Sequence, residues 1–245
     1  IRHVLLAVNK MDLVDYDQAT YDRIVGEYRA FAESIGITEF TAIPISGFKG
    51  DNITGPSTNT DWYQGPTLLP YLEAVDLDQS ADQDQAFRMP VQWVNRPNLD
   101  FRGFSGFVSG GSVKPGDDVR VLPSGKTSKI SRIVSFDGDK DEAVAGESIT
   151  VTLEDEIDCS RGQVIVAAQS PLEVSDQFET TLVWMDEVEM VPGRAYWLKI
   201  GAQTVSATVH QPKYEVNVNT QEHLATKVLD LNAIGVANIT TDREI

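Results

Sequence analysis

Val4-Leu5-Leu6-Ala7-Val8-Asn9-Lys10-Met11-Asp12 is the stretch on which the reading of this chain turns. The apolar run Val4–Val8 has no polar alternation, as expected of a strand buried on both faces of a parallel sheet. Asn9-Lys10-Met11-Asp12 follows directly, where an open α/β sheet binds its ligand. The residue types suit guanine. The Asp12 carboxylate can accept from the ring N1–H and the exocyclic amine together. Adenine offers neither donor, and an unmet charged acceptor costs on the order of several kcal/mol. Lys10 can lay its aliphatic stem over a base face with its ammonium in water. Asn9 can hold the loop and reach an acceptor on the base. Taken alone, four residues also fit an Asp that merely caps a helix after a strand.

Working outward, Tyr16 to Ile35 carries a helical stripe at Ile24, Tyr28, Phe31 and Ile35. Asp15 or Asp17 is placed to cap its start, and Gly36 stands where a helix ends in a left-handed residue. Phe40-Thr41-Ala42-Ile43-Pro44-Ile45-Ser46 reads as a second buried strand, and Ser46-Gly47-Phe48-Lys49-Gly50 as the turn after it. In guanine-binding sheets such a turn aims backbone N–H groups at the base O6, and small residues permit the approach. Two such motifs joined by one amphipathic helix favour guanine over the capping alternative. The polar segment Gly55–Gly65 reads as a loop, and Thr67 caps a last helix over about 68–75.

Asp76–Gln85 is acidic, polar and aperiodic, and is read as a linker, with its core at 79–85. From Ala86 the grammar changes to short Val/Ile/Thr-rich runs between turns such as Ser109-Gly110-Gly111, Lys114-Pro115-Gly116-Asp117 and Asp137-Gly138-Asp139. That spacing predicts sandwiches or barrels. Gln169-Ser170-Pro171 marks a second junction. The expected organisation is therefore α/β plus all-β: residues 1–78, a linker at 79–85, one β-barrel over 86–169 and another over 172–245, the last read as incomplete.

The chain has 20 basic and 37 acidic side chains, a net charge of −17, which argues against nucleic acid as a partner. Lys114, Arg120, Lys126, Lys129 and Arg132 form a modest basic stripe, expected to be balanced by Asp117 and Asp118. The single cysteine, Cys159, excludes an internal disulfide and a Cys-based metal site. Its acidic neighbours are expected to raise its pKa and keep it structural. His3, His210 and His223 show no metal-ligand spacing, so no metal site is expected. No apolar run reaches membrane-spanning length and no signal peptide opens the chain, so a cytoplasmic protein is expected. There is no G-x-x-x-x-G-K-[S/T] cradle and no Asp-x-x-Gly after a strand, so no residue here is assigned to catalysis or to Mg²⁺. The chain reads as a fragment: the base-specificity part of a P-loop GTPase domain, ahead of two barrels.

That arrangement resembles translational GTPases such as elongation factor Tu. Phe101-Arg102-Gly103-Phe104-Ser105-Gly106, Gly111-Ser112-Val113-Lys114-Pro115-Gly116-Asp117-Asp118-Val119 and Leu122-Pro123-Ser124-Gly125-Lys126 resemble one branch more closely. So do Trp184-Met185, Pro192-Gly193-Arg194 and Asn217-Val218-Asn219-Thr220. That branch is the large, GTP-hydrolysing subunit of bacterial sulfate adenylyltransferase. The resemblance covers essentially the whole chain. It implies a small catalytic subunit as partner, which makes adenosine 5′-phosphosulfate from ATP and sulfate, with GTP hydrolysis driving the reaction. It implies GTP and GDP as ligands, with Mg²⁺ held by residues outside this chain. It implies Asn9, Lys10 and Asp12 as guanine readers, Ser46 and Gly47 as O6 contacts through their backbone, and Phe48 against the base. The family more often has Ala at position 47 and Leu at position 48. A translation-factor-like GTPase acting on RNA, and a non-catalytic module derived from such a GTPase, are the alternatives.

Overall fold

The computed structural model describes residues 3–75, 83–98 and 100–245. Most of the segment read as a linker lies outside the described residues. The chain divides into two compact units, Ile1–Asp78 and Gln79–Ile245.

In the first unit, β1 (Leu5–Val8) and β2 (Thr41–Pro44) pair in parallel, with Leu5 opposite Thr41 and Val8 opposite Pro44. Such pairing needs a crossover, and α1 (Gln18–Ser34) supplies it. Asp17 is the N-cap: its carboxylate accepts from Thr20 N at 2.8 Å and from Thr20 Oγ1 at 2.7 Å. After the C-cap Ile35, Gly36 takes φ +80°, as read from sequence.

Three local expectations are corrected. The face of α1 that packs inward is Tyr21, Ile24, Val25, Tyr28 and Ala32, whereas Phe31 and Ile35 are exposed. The stripe is thus rotated toward the core of Val8, Met11 and Tyr21, with Leu6, Ile24, Val25, Ala42 and Trp62 packed around it. β1 is not buried on both faces: Ala7 is exposed and only Val8 is buried, because β2 alone flanks it among the described residues. Thr67 precedes α2 (Leu68–Ala74) but makes no side-chain cap. Leu68 N and Leu69 N instead donate to the carbonyls of Asn52 and Ile53, both at 2.9 Å, which satisfies the helix's first amides.

In the second unit, the strands β3 (Arg88–Asn95), β4 (Gly103–Phe107), β6 (Asp118–Leu122), β7 (Thr127–Ser135), β10 (Ser148–Leu153) and β11 (Val164–Ala167) form an antiparallel barrel. The order is β10-β4-β3-β11-β6-β7, and β7 pairs back onto β10, so the sheet closes. Short strands β5 (Ser112–Val113) and β9 (Ala143–Val144) pair with each other, and β8 (Gly138–Lys140) extends β7. Alternate side chains point inward, as period-2 strands require. Met89, Val91, Phe104, Val121, Ile130, Ile133, Val151 and Ile165 fill the interior. Gly106 allows β4 to approach β3: a Cβ there would stand 2.3 Å from Pro90 O.

A second sheet comprises β12 (Gln177–Val183), β13 (Ala195–Ile200), β14 (Gln203–Val209), β15 (Tyr214–Val216), β16 (His223–Leu224) and β17 (Ile234–Thr241). β17 is its spine, pairing with β12, β14 and β15. Among the described residues no ladder closes it. Loops complete its core, carrying Met190 and Leu229 against Val209, Ala237 and Ile239, with Met190 N donating to Leu229 O at 2.9 Å.

Cys159 lies in the barrel core, and burial pushes its thiol up to about 12, with Arg102 opposing. Desolvation, not acidic neighbours, is therefore the cause of the shift. Lys129 pairs with Asp118, Arg132 with Asp139 through two 2.8 Å bonds, and Lys114 with Glu142. Asp117 is used locally, accepting from Lys114 N. Among the described residues no helix is long and apolar enough to cross a membrane.

Candidate functional site

The parallel pairing of β1 and β2 brings their C-terminal ends, and hence the two sequence motifs, side by side. The ladder continues past the strands: Ile45 N donates to Val8 O at 2.9 Å and Met11 N to Ile45 O at 3.2 Å. Between them Lys10 takes φ 66°, ψ 31°, a left-handed turn that starts the short 3₁₀ helix Met11–Val14. Met11 is buried and anchors that turn; Lys10 is exposed.

Asn9 ties the loops together. Its Oδ1 accepts from Lys10 N at 2.7 Å and from Gly47 N at 3.0 Å. Ser46 is fully buried, and its Oγ donates to Asp12 Oδ1 at 2.6 Å while accepting from Lys49 N at 3.0 Å. Asp12 Oδ2 has no hydrogen-bond partner among the described residues. A half-buried carboxylate with one oxygen held and the other open can take a ligand with adjacent N–H donors.

Ser46 and Gly47 do not present free amides in this conformation. Ser46 N donates to Asp51 O at 3.2 Å and Gly47 N to Asn9 Oδ1. The amide without a partner on that turn, among the described residues, is that of Phe48. The Phe48 ring is 86% exposed, with the Lys49 ammonium 5.2 Å from its centroid. An exposed apolar surface is thus on offer on the second loop. Gly47 has room for a methyl group: a Cβ would lie 3.5 Å from Asn9 Oδ1, an ordinary contact.

Asn9, Asp12, Ser46 and Gly47 are therefore joined directly, and Lys10 and Phe48 stand exposed on the two loops. Sequence reasoning missed the support beneath them. Asp51 accepts from Ser57 Oγ and Tyr16 OH, both at 2.6 Å, and from Asn59 Nδ2 at 3.0 Å. Those donors hold its carboxyl below its ordinary value. Buried Asn52, at φ 54°, donates to Pro44 O and Thr60 Oγ1 and accepts from Ser57 N. The signal that was available is an Asp-Asn pair directly after a glycine turn, since such residues bond nearby backbone.

Residues 105–166 match the family model "Elongation factor Tu domain 2", and residues 177–245 match "GTP-eEF1A C-terminal domain-like". Across 98% of the chain, the sequence is 47% identical to sulfate adenylyltransferase subunit 1 of Aliivibrio fischeri (strain MJ11), covering 50% of that protein. It is 49% identical, over its full length, to the bifunctional enzyme CysN/CysC of Xylella fastidiosa, covering 39% of it. Along its whole length this chain is thus similar to proteins named sulfate adenylyltransferase subunit 1 and CysN/CysC. It spans half or less of the length of these relatives. The fold is shared with solved structures of two other proteins. Sup35 solved with GDP superposes over all of this chain and 62% of its own, with a TM-score of 0.63 and 19% identity. Elongation factor SelB of Methanococcus maripaludis, in its apo form, superposes over 98% of this chain and 51% of its own, with a TM-score of 0.57 and 17% identity.

Proposed function

We propose that this chain is the guanine-reading part, with two following β domains, of a GTP-hydrolysing subunit of sulfate adenylyltransferase. In that reading it works with a small catalytic subunit in the cytoplasm. That partner joins ATP and sulfate to give adenosine 5′-phosphosulfate and pyrophosphate, and GTP hydrolysis drives the uphill step. The domains are proposed as 1–78, 86–169 and 172–245. The observation that carries the reading is the 47–49% identity to subunit 1 and CysN-type proteins along the chain.

The geometry is consistent with the nucleotide. Guanine N1–H and its 2-amine would meet the Asp12 carboxylate, whose Oδ1 is steadied by Ser46. Phe48 N–H would donate to O6, with Asn9 and Gly47 holding the loop. Lys10 and Phe48 would cover the base faces. Adenine would leave the carboxylate desolvated and unmatched. Hydrolysis itself requires a phosphate cradle and Mg²⁺, to which no residue here is assigned. A translation-factor role on RNA is less favoured, because three of the five stripe cations on the barrel are already paired with carboxylates.

The test is formation of adenosine 5′-phosphosulfate from ATP and sulfate by the full-length protein with its small subunit, with and without GTP. Strong stimulation by GTP, lost in Asp12→Asn and restored by XTP, is expected. The side-chain amide introduced by that substitution would suit the C2 oxygen of xanthine. Product formation indifferent to GTP would overturn the coupling, and unchanged guanine preference in Asp12→Asn would overturn the assignment of Asp12.

A further inference from the structure

The two loops of the site are joined by more than the Asp12–Ser46 bond. Ser46 N donates to Asp51 O, Tyr16 OH donates to Asp51 Oδ2, and Tyr16 N donates to Met11 O at 2.9 Å. Met11 adjoins Asp12, so these bonds close a ring: Asp12, Ser46, Asp51, Tyr16 and back. Two sides of the ring are backbone bonds and two are carboxylate bonds, the stronger class. The Asp51 side is braced from outside by Ser57 and Asn59, and the Tyr16 side by Trp62, whose Nε1 donates to Tyr16 O at 3.1 Å.

The backbone around the ring is unusual. Lys10, Asp15, Tyr16 and Asn52 all take positive φ, four of the six described non-glycine residues that do so. Such conformations cost energy and persist where surrounding bonds over-determine them. The Asp51 bond also holds the Tyr16 hydroxyl protonated, its pKa raised to about 12, so it remains a donor across the physiological range.

We infer that Tyr16 and Asp51 are positioning residues that set the orientation of the Asp12 carboxylate, and through it discrimination for the 2-amino group of the base. The inference rests on the guanine reading above. Asn9 and Met11 tie the first loop on the N-terminal side of Asp12, through Gly47 and Ile45. The Tyr16–Asp51 bond ties it on the C-terminal side and keeps Oδ2 aimed at one place. The property at stake is selectivity, since a carboxylate that swings still meets N1–H but loses the second, adjacent donor.

The test compares GDP with inosine 5′-diphosphate, which has N1–H but no 2-amine, in equilibrium binding to the full-length protein. Wild type is expected to prefer GDP. Tyr16→Phe keeps the ring and the backbone but removes the bond to Asp51; it is expected to lower the GDP to IDP preference about fivefold, the loss of one neutral-donor hydrogen bond's worth of orientation. Asp51→Asn should lower it in the same direction. A purely structural role would weaken both nucleotides equally, so an unchanged ratio in both variants overturns the inference. If wild type and Asp12→Asn differ in base choice while Tyr16→Phe matches wild type, only this inference fails. If wild type shows no preference for GDP, the guanine reading fails first and this one with it.

Discussion

Ser46 Oγ donates to Asp12 Oδ1 at 2.6 Å, joining residues 34 positions apart across the ends of two parallel strands. The bond decides which carboxylate oxygen stays open, and the same hydroxyl accepts from Lys49 N. Ser46→Ala therefore removes a buried hydroxyl with both a charged and a backbone partner. A stability loss of about 1–3 kcal/mol is expected. Urea denaturation followed by tryptophan fluorescence, to which Trp62 contributes from the same unit, should show a lower midpoint for that unit at unchanged slope; a midpoint equal to wild type would contradict the bond's contribution.

Gly47 behaves oppositely. Its amide is used, but its Cα faces Asn9 at ordinary contact distance and its φ is not in the left-handed region. Gly47→Ala is expected to change stability by no more than about 0.5 kcal/mol and to leave nucleotide affinity in place. A marked loss of either would mean that the loop moves closer to Asn9 than this geometry shows.

Acid should act on the support of the site. Asp51 is held below its ordinary value of 3.8, first by Ser57 Oγ and then by Tyr16 OH. Asp17, Asp139 and Glu147 are likewise lowered, by Thr20, Arg132 and Lys140 respectively. A depressed carboxyl contributes stability that is complete above the unfolded-state value and is lost as pH falls through the folded-state value. Stability should therefore fall below about pH 4, and Asp51→Asn should be less stable at neutral pH with a shallower acid limb. Urea midpoints from about pH 6 down to about pH 2.5 would show it; parallel limbs in the two proteins would argue against the Asp51 network.

Cys159 offers a clean probe of the barrel. Its thiol is buried beside Phe104 and Ile157 in one cluster and pushed up to about 12. In the folded protein at about pH 8 it should resist Ellman's reagent, because the thiolate is the reacting form. Labelling should begin only as denaturant opens the barrel, and immediate stoichiometric labelling would contradict this burial.

Much of this protein was legible in its residues. The helix α1 was readable because Asp17, the apolar spacing and Gly36 each speak to neighbours within a few positions. The all-β part was readable because turn residues and period-2 alternation are local as well. The stripe on α1 departs from the structure at Phe31 and Ile35 because periodicity gives a face but not which flank of it meets the sheet; Tyr21 decides that by packing with Val8 and Ala42, and Ala32 is buried on the same flank.

The candidate site divides along the same line. Sequence by itself determined the residue types that could read a base, Asn9, Lys10 and Asp12 after one strand and Ser46, Gly47 and Phe48 after another, since each lies a fixed step beyond an apolar run. Only the tertiary structure decided how they are wired. Parallel pairing of Leu5–Val8 with Thr41–Pro44 set Ser46 on Asp12, gave the amides of Ser46 and Gly47 to Asp51 and Asn9, and left that of Phe48 without a partner among the described residues. Tyr16, unmarked in sequence, meets Asp51 across 35 positions because the crossover helix returns the chain to the same sheet edge. A hydrogen bond between distant residues depends on where the strands place them, and no local pattern carries that information.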